Sequence, residues 1–233
     1  MIQLSPASLR LPALDRRLGA VAEAVPTCQW AADIGADHGR LSLHLLAQGK
    51  CKHMIVSDIS EQSLSKARQL LTMHGLEDRA RFIRADGLAA VDRPVEAIVI
   101  SGLGGKTLAG MLKRHPIPSG TTLILSPQTA LPTVRKALSS IGYGVNREQV
   151  VDDAGRYYHV IRAVPGQIVY SEKALFLGPV LMADTWQALG AYLEWRIGVA
   201  GRARTSVARQ QEEWLKEGLR IVQRDRENHL YTD

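Results

Sequence analysis

Between residues 9 and 25, apolar side chains fall at Leu11, Leu14, Leu18, Val21, Ala22 and Val25, and Pro26 ends the run. Intervals of three and four predict an amphipathic helix with one buried stripe. Beyond it, short apolar runs alternate with longer stretches of helical spacing. Strands are predicted over 30–34, over 53–56 with Asp58 at the end, and over 81–85, 95–100 and 121–125. Helices are predicted from Leu41, from the N-cap Ser60 through Leu64, Ala67, Leu70 and Leu71 to Gly75, around Leu108, Met111 and Leu112, and over 133–141. Residues 145–151 and 157–164 then follow one another with Gly155 between them, which predicts an antiparallel hairpin.

Such alternation implies a mostly parallel sheet covered on both faces, with right-handed crossovers and the hairpin added at the end. After Pro165-Gly166 the pattern changes. Trp186, Leu189, Leu193 and Ile197, then Val207, Trp214, Leu215, Leu219 and Val222, mark two long amphipathic helices. Gly198, Gly201 and the basic cluster at 202–204 are the expected turn of an antiparallel helical hairpin. The expected division is a domain over 1–168 and a helical-hairpin domain over 169–233.

Composition adds exclusions. The chain has 233 residues, with 45% hydrophobic and 22% charged side chains, an ordinary balance for a packed protein. No apolar run reaches the roughly 18 residues a membrane span needs, and Met1-Ile2-Gln3-Leu4-Ser5-Pro6 lacks the layout of a secretory leader. With only Cys28 and Cys51, a disulfide framework is not expected and a cytoplasmic location is. The net charge of +6 is uneven: residues 1–170 hold 20 basic and 14 acidic side chains, whereas the remainder holds nine of each. A polyanion is therefore attracted by the first part of the chain rather than by the last.

The candidate chemistry gathers where predicted strands end. Asp33-Ile34-Gly35-Ala36-Asp37-His38-Gly39 lies where the first strand enters the first crossover helix. Asp37 stands where a dinucleotide loop would carry its second glycine, and a carboxylate facing pyrophosphate is repelled. Two acids instead suit a cationic ligand, and the sulfonium and ammonium groups of S-adenosyl-L-methionine meet that description. Asp58 ends the second strand at a separation suited to a ribose-binding acid. Asp86-Gly87-Leu88 ends the third, where a carboxylate can accept from an adenine amino group. The fourth strand ends in Ser101-Gly102-Leu103-Gly104-Gly105-Lys106-Thr107, whose glycines have the wrong spacing for a phosphate loop but permit close approach of a flat base. No His/Cys/Asp/Glu spacing suggests a metal. Tyr157-Tyr158-His159 in the hairpin is read as packing.

Leu14 to Ala22, Ala32-Asp33-Ile34-Gly35-Ala36-Asp37-His38-Gly39, Ser57-Asp58-Ile59, Ala85-Asp86-Gly87-Leu88 and Ser101-Gly102-Leu103-Gly104-Gly105, in this order and spacing, resemble the TrmK family of bacterial tRNA (adenine-22-N1)-methyltransferases. The resemblance covers about residues 8–165. It implies a Rossmann-like class I methyltransferase fold, an α/β architecture, with a C-terminal helical hairpin. It also implies S-adenosyl-L-methionine as cofactor and tRNA as partner. The cofactor-binding candidates are Asp33, Gly35, Ala36, Asp37, His38, Gly39, Leu41, Asp58, Ile59, Asp86, Gly87, Leu88, Ser101 and Gly102. Asp37, Gly102 and Gly104 are the catalytic candidates, and Gly104, Gly105, Lys106, Arg135 and Lys136 the candidates for holding the RNA substrate. One departure is Ser126-Pro127-Gln128, where the family reads Gln-Pro-Asn. The residues alone leave open a methyltransferase for small molecules or proteins, and an RNA-binding module without turnover.

Overall fold

A computed structural model describes residues 10–179, 186–200 and 205–230. Its centre is a seven-stranded sheet in the order β3-β2-β1-β4-β5-β7-β6. The strands are β1 (Cys28–Ile34), β2 (Cys51–Asp58), β3 (Ala80–Arg84), β4 (Ala97–Ser101), β5 (Thr122–Ser126), β6 (Tyr143–Asp153) and β7 (Arg156–Pro165). The first five are parallel, and β7 runs antiparallel between β5 and β6. The helices are α1 (Arg16–Ala24), α2 (Arg40–Ala47), α3 (Glu61–Met73), α4 (Gly105–Arg114), α5 (Leu131–Ser140), α6 (Glu172–Leu177), α7 (Trp186–Ala200) and α8 (Ser206–Leu230).

Buried strands explain this layering. Every residue of β5 is buried, as are the first four of β4, so neither face of the sheet can meet water. Alternate residues serve alternate faces. Ala31, Met54, Val56 and Val99 pack under α1, α2 and α3 through Val21, Leu43, Leu46 and Leu71. Ala32, Ile55, Ile98 and Ile100 pack on the other face under α4 and α5 through Leu108, Leu112, Val134 and Leu138. Caps fix where helices begin: Asp15 accepts from the Leu18 N–H at 2.7 Å and Ser60 from the Ser63 N–H at 3.3 Å. At the hairpin tip Ala154 and Gly155 both have positive φ, the backbone twist that joins two antiparallel strands through a two-residue turn.

The sequence-predicted strands and helices appear with boundaries shifted by a few residues. The first helix is shorter than its 9–25 pattern and starts after Asp15. α6 has no counterpart in the pattern because its six residues are too few to show helical periodicity. Gly198 lies inside α7 rather than in a turn, while the expected turn at 201–204 falls outside the described residues.

A third apolar cluster joins the C-terminal helices to the sheet's far edge. Leu189, Tyr192 and Leu193 of α7, with Leu215 and Val222 of α8, meet Leu177 and Val150. Tyr157 packs against Tyr192 and Trp195, and His159 meets Tyr192 edge-on, so this part of the aromatic run serves packing.

Candidate active site

A parallel sheet whose strand order reverses has a crevice at its carboxyl edge, because the crossovers leaving the two neighbouring strands go to opposite faces. Here β1 lies between β2 and β4, which places that crevice above Ile34 and Ser101. A cleft of about 550 Å³ opens there, within the usual range for small-molecule sites. Asp33, Gly35, Ala36, Asp37, His38, Leu41, Asp58, Ile59, Asp86, Gly87, Ser101 and Gly102 all line it.

The loop after β1 is shaped by backbone. Gly35, Asp37 and Gly39 have φ of 72°, 49° and 72°. The Gly35 and Ala36 N–H groups donate to the Ser57 carbonyl at 2.8 and 2.9 Å, clamping the loop to β2. A side chain at Gly39 would put its Cβ 2.8 Å from that of Ala67, so Gly39 lets α2 and α3 approach and does not itself line the cleft.

The acids differ in their surroundings. Asp33 is buried and accepts one hydrogen bond from Ser42 Oγ at 2.7 Å. Burial pushes its carboxyl up to about 6; the Ser42 bond acts against this, and the nearby Asp58 charge adds to it. Asp58 is half-buried and uses one oxygen for the Asp37 N–H at 3.1 Å and the other for the Ser60 N–H at 2.9 Å, leaving lone pairs toward the cleft. Asp37 is the opposite of Asp33: its side chain is 72% exposed, and the His38 imidazole lies 3.6 Å from one of its oxygens. The structural role of Asp37 is thus carried by its N–H. Asp86 is exposed at the rim. Gly87 has a φ of 59° and would drive a Cβ to 2.8 Å from the Met111 side chain, so a larger residue there strains the backbone and displaces Met111.

The remaining sequence candidates lie elsewhere. Leu88 is buried in the core, in a short turn packed on β1, β2 and α4, rather than in the cleft. Gly104 caps α4, and a Cβ on Gly105 would sit 2.0 Å from the Thr129 carbonyl oxygen, so Gly105 serves loop packing. Lys106 and Lys136 are exposed side chains outside the cleft. Arg135 requires correction as an RNA-holding residue. Its side chain is 0% exposed, and its guanidinium donates to both Glu148 oxygens and to the Leu175 and Phe176 carbonyls. It cannot reach a phosphate. Desolvation would raise the Glu148 carboxyl, but Arg135 and the His159 ring, 2.8 Å away, hold it below its ordinary value.

Several lining residues carry no signal in the sequence. Arg17 and Asp15 come from α1, Arg40 from α2 and Met111 from α4. Only the packing of those helices over the sheet edge brings them to the crevice. Among the described residues no His/Cys/Asp/Glu cluster could hold a metal, and no helix is long and apolar enough to cross a membrane.

Residues 14–161 match the family described as Methyltransferase domain. The tRNA (adenine(22)-N(1))-methyltransferase of Bacillus subtilis is 28% identical over 156 residues, an alignment covering 66% of each chain. A Mycoplasma pneumoniae protein classed as a tRNA methyltransferase is 31% identical over 159 residues, covering 66% of this chain and 73% of that one. Among solved structures, Streptococcus pneumoniae Sp1610 in complex with S-adenosyl-L-methionine superposes with a TM-score of 0.74 at 25% identity, covering 89% of this chain and 100% of that one. Fold, crevice and domain match together define a methyltransferase of the Rossmann-like class. Within that class, the chain belongs to the TrmK family.

The donor set fits the cofactor of this class. Five carboxylates line the cleft, and four of them, Asp33, Asp37, Asp58 and Asp86, lie at strand ends, where they offer acceptors for an ammonium, a sulfonium, a ribose diol and an adenine amino group. Ile59 beside Asp58 is 66% exposed, an apolar surface for a planar base to cover. Ile59→Ala is therefore expected to leave thermal stability unchanged and to weaken S-adenosylhomocysteine binding roughly fivefold, since about 1 kcal/mol of apolar burial is lost. Titration calorimetry beside a thermal melt checks both halves.

Proposed function

We propose that this chain methylates N1 of an adenine in tRNA, using S-adenosyl-L-methionine, with position 22 as the site. The observation that carries this reading is the acid-ended strands β1, β2 and β3 converging on one crevice in a chain of the TrmK family. It acts on a cytoplasmic RNA, in keeping with its two unpaired cysteines.

When bound, the cofactor supplies an electrophilic methyl group on a sulfonium. Asp58 accepts from the ribose hydroxyls, as its spare lone pairs allow. Asp86 and the Ile59 face hold the adenine, and Asp33 faces the positive amino-acid end. The Ser101–Gly102 edge, where Gly102 has a φ of 85° and donates to the Ser126 carbonyl at 3.1 Å, leaves backbone for the target base to approach. Adenine N1 has a free lone pair at neutral pH, so no general base is needed. Alignment of the two reactants supplies most of the acceleration. The carboxylates at the rim stabilise the cationic methylated base by their field. N1 lies on the pairing edge, so the base must leave its stack to reach the crevice.

A tRNA transcript carrying adenine at position 22, incubated with the protein and the cofactor, is expected to acquire one methyl group that stops reverse transcriptase at that adenine. A transcript with guanine there should remain unmethylated. Methylation of both transcripts alike, or of neither, overturns the assignment.

A further inference from the structure

Two guanidiniums line the crevice without a carboxylate partner among the described residues, and of these Arg17 is half-buried whereas Arg40 is exposed. Arg17, in the first turn of α1, reaches across to β4, where its Nη1 donates to Ser101 Oγ. Its guanidinium also stands 5.5 Å from the centre of the Tyr158 ring on β7. It is half-buried, it lines the cleft, and among the described residues no carboxylate pairs with it. Ser101 satisfies one of its five N–H donors, so the rest of the fork is available. The other basic side chains lining the crevice are engaged differently: the exposed Arg40 donates to the Ala13 carbonyl, and the exposed His38 lies between Asp37 and Lys66.

A half-buried guanidinium without a carboxylate is expensive unless a ligand supplies one. The cofactor's charges supply the match. Its ammonium and sulfonium call for acids, which Asp33 and Asp37 provide, and its amino-acid end also bears one carboxylate, which those acids repel. Arg17 is the guanidinium positioned to offset that repulsion, held in place by a hydroxyl on one side and an aromatic ring on the other. We infer that Arg17 binds the carboxylate of the cofactor's amino-acid end and thereby fixes that end against β4. This rests on the cofactor reading given above. It assigns a contact between the first helix and the ligand that the motif-bearing strand ends do not contain. A guanidinium fork suits a carboxylate in two-point geometry, whereas a lysine offers only a point charge.

The test compares two ligands by titration calorimetry: S-adenosylhomocysteine, and 5′-methylthioadenosine, which keeps the nucleoside and the sulfur but lacks the amino-acid end. Arg17→Gln is expected to weaken S-adenosylhomocysteine binding about 10- to 100-fold and to leave 5′-methylthioadenosine binding unchanged. Arg17→Lys should recover part of the loss, and tRNA affinity with its salt dependence should match that of the unmodified protein. Equal weakening of both ligands, or of neither, overturns the inference. So does a drop in tRNA affinity with the cofactor product bound normally, which would place an RNA phosphate on Arg17. Should Arg17→Gln fail to fold, Arg17→Lys against the same two ligands decides. If the unmodified protein binds neither ligand, it is the cofactor reading that fails, so the two failures are distinguishable.

Discussion

Arg135→Met is expected to destabilise the protein by about 3–5 kcal/mol, the usual cost of stripping a buried charge of its partner. For a chain of this size that corresponds to a fall in Tm on the order of 10 °C. The geometry explains why the loss is large. Glu148 is 2% exposed, and without Arg135 it keeps a single charged or polar partner, the His159 ring at 2.8 Å. In the intact protein burial holds the His159 imidazole below its ordinary value, with the Arg135 charge acting the same way against the pull of Glu148, so Arg135 is the fixed counter-charge of this carboxylate. The Leu175 and Phe176 carbonyls lose their donor as well, which loosens α6 from α5. Adding Glu148→Gln should recover part of the lost stability, because the isolated charge is then gone. Thermal melts of the single and double variants check this. An unchanged Tm accompanied by weakened tRNA binding would restore Arg135 to the RNA interface and sink the structural assignment.

Asp33→Asn is expected to act in two opposite directions. The Asp33 carboxyl titrates at about 6 in the folded protein, against an ordinary value of 3.8. The folded state therefore binds its proton more tightly than the unfolded chain does. Between pH 4 and 6, stability falls as pH rises, and above pH 6 the buried charge costs about 3 kcal/mol. An amide can still accept from Ser42 without carrying that charge, so the ligand-free variant should be more stable at pH 8 by up to about 3 kcal/mol. Cofactor binding should move the other way and weaken at least tenfold, since the ligand's positive end loses its deepest counter-charge. In the unmodified protein the affinity should fall as pH drops below 6 and Asp33 becomes neutral, and in the variant that slope should vanish. Calorimetry at pH 5 and pH 8 reads both effects. A variant that binds normally at pH 8 would remove Asp33 from the binding site.

The parallel core was legible because its strands are short and mostly apolar, with Asp or Gly at or just past their ends, as β1, β2 and β4 show. Those closing residues also gave most of the crevice, since a parallel sheet places all such strand ends on one edge. What the pattern concealed depends on packing between distant segments. Arg135 lies between Val134 and Ala137-Leu138 on the buried stripe of α5, and that position was the available sign that it points inward. Its partner Glu148 lies in β6, where no helical spacing could connect the two. The glycines at 104 and 105 read as a substrate loop, whereas the approach of the 128–130 loop accounts for Gly105. Arg17 sits in an ordinary helix-opening turn, and only the docking of α1 on β5, β6 and β7 brings it to the ligand edge.

That docking has a consequence for synthesis on the ribosome. The helix that furnishes one wall of the crevice emerges first, yet the strands it rests on, joined to it by Arg16 at the Asp152 carbonyl and by Arg17 at the Tyr158 ring, emerge last of the sheet. A nascent chain thus lacks part of the seat of this helix until translation has passed β7, and Arg17 gains its Tyr158 contact only then.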